Sequence, residues 1–300
     1  MTAIEHVLVT GAGAMGSQIG MVCALAGLQV KLYEITASAA EAAQRSLHAW
    51  LDRAVAKGRL SAAQREDAWG RLSVHRDLPP AAADADLVIE AVVEKIDIKR
   101  ALFADLGRLT PPHALLTSNT SSFVPSRLAD ASGRPDRFAN LHFFNPALVM
   151  ACVEVIRGPQ TSDDTVHTLL DLVARLGKTP VLLNKEIPGF IANRILNAVR
   201  DEAIYLLENG YAGVEAIDTA CRTALGYPMG PFELMDLTGI DIGYHTKTAR
   251  YAETGDPADA PSATVTALVE RGHLGRKTGR GFYTYDATGT KTEATTWLAR

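Results

Sequence analysis

Apolar residues along the first 185 positions come in short runs. His6–Thr10, Gln29–Ile35, Asp86–Val92, Ala114–Ser118, Phe138–Phe143, Cys152–Ile156 and Pro180–Leu183 are rich in β-branched and aromatic residues and predict strands. Stretches with small and apolar residues at helical spacing separate them, MGSQIGMVCALAG after the first run being the clearest. Such alternation predicts a parallel sheet with helices on both faces. A run such as DLVIEAVV, apolar almost throughout, is what a strand covered on both faces requires. Residues 37–72 are Ala-rich and charged with almost no β-branched residues, which predicts a helical pair inserted after the second strand. Near NKEIPGF (184–190) the pattern changes and strand signals nearly vanish. Helices are predicted over 189–208, 214–225, 231–253 and 262–271. In the first of these Ile191, Ile195, Val199 and Leu206 lie along one face, after Pro188 and Gly189 and before Gly210. The chain is expected to hold an α/β domain, doubly wound with a mainly parallel sheet, over 1–185. A smaller all-helical domain is expected over 186–300.

Composition narrows the class. The chain has 300 residues, 47% of them hydrophobic and 21% charged, with a formal net charge of −4. That mild acidity argues against a nucleic-acid surface, which needs a basic stripe. Cys23, Cys152 and Cys221 stand far apart in apolar surroundings. Without CxxC spacing they point to buried thiols in a reducing compartment, with neither a zinc site nor a disulfide framework. No apolar run reaches the roughly eighteen residues needed to cross a membrane. MTAIEHVLVTG enters strand-like sequence at once, without the pattern of a signal peptide. A cytoplasmic protein without a membrane segment or a metal site is expected.

Two features carry candidate chemistry. HVLVTGAGAMGSQIG places Gly11, Gly13 and Gly16 in a G-x-G-x-x-G pattern directly after a strand and opening a helix, with Ala14 and Met15 between the last two. The first glycine allows a tight turn, the second lets backbone approach a pyrophosphate, and the third lets the helix close on the strand. The helix N-terminus then offers unpaired N–H groups to a diphosphate. The second strand ends at Glu34, where a carboxylate accepts hydrogen bonds from both ribose hydroxyls of an adenosine. With no arginine beside it, the position disfavours a 2′-phosphate, so NAD is expected over NADP. The second feature is LHFFNPALVMACVEVI (141–156), which puts His142 inside an apolar run and Glu154 inside the next. A satisfied core histidine and a base with its orienting acid both fit that pattern.

GAGAMG, IEAVVE, SNTSS, LHFFNP, VEVI, PGFIANRI, GYPMGPFELMDLTGID and KTGRGFYTY occur in this order. With them the chain resembles the L-3-hydroxyacyl-CoA dehydrogenases, including the short-chain 3-hydroxybutyryl-CoA enzymes, over essentially its whole length. The resemblance implies a Rossmann-like NAD domain and a helical domain that contributes to substrate binding and a homodimer. It implies reversible, NAD-dependent oxidation of the 3-hydroxyl of an acyl thioester, within fatty acid metabolism. His142 matches the family's general base and Glu154 its partner, with Asn145-Pro146 turning the chain between their strands. Ser121 matches the contact to the substrate hydroxyl, and Asn193 a residue near the thioester. Glu94, Lys99 and Asn119 match contacts on the nicotinamide side of the cofactor. Arg53 and Lys57, with Arg59, fall where they would grip coenzyme A phosphates, or else form a solvated basic face.

The pattern departs in places. NPALVMACVEV stands where family members often read NPVPVMKLVEV, and Glu34 stands where Asp is commoner. These departures leave the NAD half intact and put the acyl substrate in doubt. Three other readings are weighed: a small polar hydroxyacyl group on an acyl carrier protein, a sugar-acid (L-gulonate-type) dehydrogenase, and a non-catalytic NAD-binding protein. The last has no need of His142, Glu154, Ser121 and Asn193 together.

Overall fold

The computed structural model describes residues 3–295; residues 1–2 and 296–300, the outermost ends of the two expected domains, lie outside the described residues. The chain divides into two compact units, Met1–Ile191 and Ala192–Arg300.

The first unit runs β1 (His6–Thr10), α1 (Ala14–Leu25), β2 (Gln29–Tyr33), α2 (Ala37–Ala56), α3 (Ala62–Gly70) and β3 (Leu72–His75). It continues through α4 (Leu78–Ala82), β4 (Leu87–Glu90), α5 (Ile96–Leu109), β5 (Leu115–Ser118) and β6 (Phe138–Phe143). It ends with β7 (Cys152–Ile156), α6 (Asp163–Arg175) and β8 (Thr179–Leu183). One eight-stranded sheet forms in the order β3-β2-β1-β4-β5-β6-β7-β8. Every pairing is parallel except β6 with β7. The reason is length: residues 144–151 are too few for a crossover to a parallel neighbour, so β7 turns back on β6. Apolar faces of α1, α2, α3 and α6 cover one side of the sheet. Residues of α4 and α5 cover the other side. Strands β4, β5 and β6 are buried at every position, which is why their sequences show no alternation.

The doubly wound, mainly parallel sheet is the fold class expected from the sequence. Strand β3 is a correction. Its four residues, LSVH, follow an Ala-rich charged stretch, and residue 72 reads there as the end of the helical pair. Pairing with β2 from Val30↔Leu72 to Tyr33↔His75 makes the segment a strand. Tertiary contact overrides a weak local pattern.

The second unit contains α7 (Ala192–Glu208), α8 (Val214–Ala224), α9 (Pro231–Thr238), α10 (Ile240–Thr254) and α11 (Ala263–Glu270). It closes with a two-stranded hairpin, β9 (Tyr283–Tyr285) and β10 (Lys291–Ala294). The single helix expected over 231–253 is broken at Gly239, whose φ of +98° lies outside the helical region. The hairpin is a further correction to the expectation of helices alone.

Two buried acids fasten that hairpin. Asp218 accepts hydrogen bonds from the Phe232 and Glu233 amides and from the Tyr283 hydroxyl, at 2.9, 3.1 and 2.9 Å. Asp236 accepts from the Phe282 and Tyr283 amides and the Tyr285 hydroxyl, each at 2.9 Å. A Cβ at Gly230 would collide with the Asp218 carboxyl, and one at Gly281 with that of Asp236, so both approaches require glycine. Burial pushes the Asp236 carboxyl up to about 6 despite these hydrogen bonds, with nearby Asp218 adding to the rise. Among the described residues no helix is long and apolar enough to cross a membrane, and no His/Cys/Asp/Glu cluster could hold a metal.

Candidate active site

Strands β1, β4, β5 and β6 run parallel, so Thr10, Glu90, Ser118 and Phe143 end at one edge of the sheet. Strand order reverses at β1, between β2 and β4, and ligands of open α/β sheets bind at such a point. The glycine loop lies there. Gly11 has φ +94°, and a Cβ on it would sit 2.7 Å from the Ala91 carbonyl oxygen. A Cβ on Gly16 would collide with the Gly11 carbonyl, so the helix reaches the loop only without a side chain. A Cβ on Gly13 meets nothing within 4 Å. The protein itself therefore places no demand on that glycine, and the open space above it is the cradle a diphosphate needs. Gly13 caps α1 without a side-chain hydrogen bond, leaving the Ala14, Met15 and Gly16 amides of the first turn without helical partners. Glu34 follows β2; its Oε2 accepts from the Ala12 amide at 3.0 Å and its Oε1 from the Thr36 amide at 2.9 Å. Each oxygen keeps capacity for one more donor, as two ribose hydroxyls require. Ile35 and Val93, beyond the ends of β2 and β4, are 66% and 60% exposed and present apolar surface beside the loop. The residues present fit a dinucleotide.

At the end of β4 lies a charged triad, Glu90 and Lys99 buried and Glu94 reaching the surface. The Lys99 ammonium lies 2.6 Å from Glu90 Oε1 and 3.1 Å from Glu94 Oε2, and the lysine is 1% exposed. Glu90 also accepts from the Val92 amide at 2.8 Å and the Ser118 hydroxyl at 2.5 Å. Burial alone would raise the Glu94 carboxyl. Lys99 and hydrogen bonds from Thr120 and Ser122 outweigh it and hold Glu94 below its ordinary value. Asn119 Oδ1 accepts from the Phe143 amide at 2.8 Å, tying the loop after β5 to the end of β6. Ser121 is exposed and its hydroxyl makes no hydrogen bond among the described residues. Glu90, Thr120 and Phe190 were not singled out from the sequence. The spacing of Glu90 and Lys99, nine residues apart across a strand end, carries no local signal.

His142 and Glu154 face each other directly in the β6–β7 pairing. Their side chains meet at 2.8 Å, His142 Nδ1 to Glu154 Oε2. Glu154 is 1% exposed, and its Oε1 accepts from the Ile191 amide at 3.0 Å. The imidazole meets the rings of Phe144 and Phe190 edge-on, at centroid distances of 4.6 and 5.3 Å. Nε2 is not among the buried polar atoms left without a partner, and the side chain keeps 6% exposure. The Ala151-Cys152 departure leaves this pairing intact; burial, with Glu154 nearby, raises the half-buried Cys152 thiol.

Arg53 and Lys57 lie exposed at the end of α2 and, among the described residues, make no ion pair with the strand-end cluster; Arg59 is likewise exposed. Asn193 is half-buried in the first turn of α7, in the second unit.

The fold and its glycine loop define a dinucleotide-binding protein. The chain belongs to the 3-hydroxyacyl-CoA dehydrogenase family: residues 6–187 match the model of its NAD binding domain and residues 189–285 that of its C-terminal domain. The cofactor is NAD, as expected. A probable 3-hydroxybutyryl-CoA dehydrogenase of Bacillus subtilis is 39% identical over 283 residues, covering 94% of this chain and 98% of that one. The 3-hydroxybutyryl-CoA dehydrogenase of Bradyrhizobium diazoefficiens is 40% identical, with 94% and 96% covered. Among solved structures, (S)-3-hydroxybutyryl-CoA dehydrogenase PaaH1 from Ralstonia eutropha superposes with a TM-score of 0.87 at 37% identity, covering 95% of this chain and all of that one.

Proposed function

We propose that the chain interconverts a short-chain L-3-hydroxyacyl-CoA and its 3-ketoacyl-CoA, with His142 as general base and Glu154 as its orienting acid. The observation that carries this is the 2.8 Å contact between Nδ1 and Oε2 at directly paired positions of β6 and β7. With Glu154 on Nδ1, that nitrogen keeps its proton and Nε2 is left to accept one. Oxidation moves the proton of the 3-hydroxyl to Nε2 while the C3–H bond breaks; bound NAD would supply the acceptor for the hydride that leaves C3. Glu154 then stabilises the imidazolium, and the reverse reaction returns the proton. The exposed Ser121 hydroxyl and the Asn193 amide are assigned to the substrate oxygen and the thioester region. Gly11, Gly13, Ala14, Met15 and Gly16 hold the diphosphate, and Glu34 the adenosine ribose. Glu94, kept ionised and aimed by Lys99, serves the nicotinamide side, and the Asn119 side-chain NH₂ is left for the carboxamide. Arg53 and Lys57 are assigned to the phosphates of coenzyme A.

The names of the relatives favour a coenzyme A thioester over a carrier-bound or sugar-acid substrate. A homodimer through the helical unit is supported by exposed apolar side chains there, Ile195 at 59%, Leu225 at 64% and Ile242 at 59%. The test of the activity is direct: protein, NADH and acetoacetyl-CoA are mixed and absorbance at the nicotinamide band is followed. Loss of the band in proportion to 3-hydroxybutyryl-CoA formed is expected; no turnover with any short 3-ketoacyl-CoA would remove the proposal.

A further inference from the structure

We infer that Phe190 is a positioning residue for the His142–Glu154 pair, acting from the segment that closes the first unit. It rests on the assignment of that pair as base and orienting acid.

The segment is Gly189-Phe190-Ile191. Gly189 has φ +79° and Phe190 φ +52°. Phe190 is the one non-glycine residue at positive φ among the described residues. For a bulky side chain the left-handed region is strained, and it persists only where surrounding contacts enforce it. Those contacts are at hand. The Phe190 ring is fully buried and packs with Ile156, Leu183 and the half-buried Val124. It stands against the His142 imidazole at a centroid distance of 5.3 Å and an interplanar angle of 62°. The next residue turns its amide to Glu154 Oε1 at 3.0 Å. One local conformation thus touches both members of the pair, walling one side of the imidazole with a ring and giving the carboxylate a donor. With Oε1 engaged, Oε2 is held toward Nδ1, and the imidazole plane follows.

Glycine adopts positive φ without strain. Phe190→Gly therefore keeps the turn and the Ile191 amide in place while removing the ring, and Phe190→Leu refills most of the space. For Phe190→Gly, kcat for acetoacetyl-CoA reduction falls at least tenfold, since small misplacements of a catalytic group cost that much or more. NADH affinity, read by fluorescence titration, stays within twofold, because the glycine loop is untouched. In proton NMR the downfield Nδ1–H of His142, sharp while Glu154 holds it, broadens. Phe190→Leu recovers most of both signals. Lowered thermal stability with wild-type kcat and an unchanged Nδ1–H line would overturn the inference, leaving Phe190 a core residue only. So would a fallen kcat with the line intact. His142→Gln, assayed alongside, separates the two levels: if it turns over normally the pair itself is wrongly assigned, whereas an inactive His142→Gln beside a fully active Phe190→Gly sinks only the role of Phe190.

Discussion

A histidine inside an apolar strand is ambiguous until its register is known. LHFFNP and VEVI supply the residues, and only the antiparallel return of β7 sets His142 opposite Glu154. Replacing His142 with Gln is expected to cut kcat by about a hundred- to ten-thousand-fold while NADH binding, measured by fluorescence, stays near wild type. Cofactor choice belongs to this scale too. Glu34→Ala combined with Ile35→Arg removes the carboxylate proposed for the ribose and places a cation beside it, at a position already 66% exposed. The ratio of kcat/KM for NADPH over NADH should rise at least tenfold; an unchanged ratio would mean that the carboxylate is not at the ribose. Single residues were legible where a backbone requirement demanded them, as with Gly11 and Gly16. Glu90 was not, because its partners Lys99 and Ser118 come from α5 and β5 and reach it only when both elements pack beside β4. Phe190 was hidden for another reason: within PGFI it reads as one more apolar residue.

At the scale of elements, apolar runs showed most strands of the sheet, since burial on both faces leaves a strong signal. Short elements escaped. β3 has four residues, and its strand state depends on pairing with β2. The break between α9 and α10 was carried by a glycine that looks tolerable in a helix until its φ of +98° is seen. GYPMGPFELMDLTGID and KTGRGFYTY, which helped to mark the family, prove to hold one piece of scaffolding: Asp236 from the first and Gly281, Tyr283 and Tyr285 from the second lock the hairpin down, with Asp218 of α8 added from outside both. Gly281→Ala is therefore expected to lower the stability of the helical unit by roughly 2 kcal/mol or more, because its methyl group collides with the Asp236 carboxylate. Thermal melting of the purified full chain would show it, and an unchanged melting temperature would count against the clasp.

Across the whole molecule, two carboxyls, one in each unit, carry opposite responses to acid. Glu94 in the first is held below its ordinary value by Lys99, Thr120 and Ser122 against the effect of burial, so its contribution is present at neutral pH and lost as pH falls through that lowered value. Asp236 in the second is raised to about 6, chiefly by burial. Asp236 therefore takes up a proton in the folded unit before it does in the unfolded chain, and its contribution to stability rises as pH falls from about 6 toward the ordinary carboxylate range. Hydrogen exchange at Phe282 and Tyr283, corrected for the intrinsic rate, should slow between pH 7 and pH 5; faster exchange would reverse the sign of this argument. Light scattering on the full chain tests the proposed dimer, and Ile242→Asp should shift the mass toward the monomer.

The acid clasp also bears on how the polypeptide emerges from the ribosome. Asp218 and Asp236 leave the exit tunnel well before the amides and hydroxyls at 282–285 that they need. Until translation has passed Tyr285, sealing α8 and α9 would strand the Asp236 charge away from water and leave Asp218 with the Phe232 and Glu233 amides but without the Tyr283 hydroxyl. Nascent helices of this half must stay open and hydrated while the sheet-bearing half, its own donors already in hand, can set first.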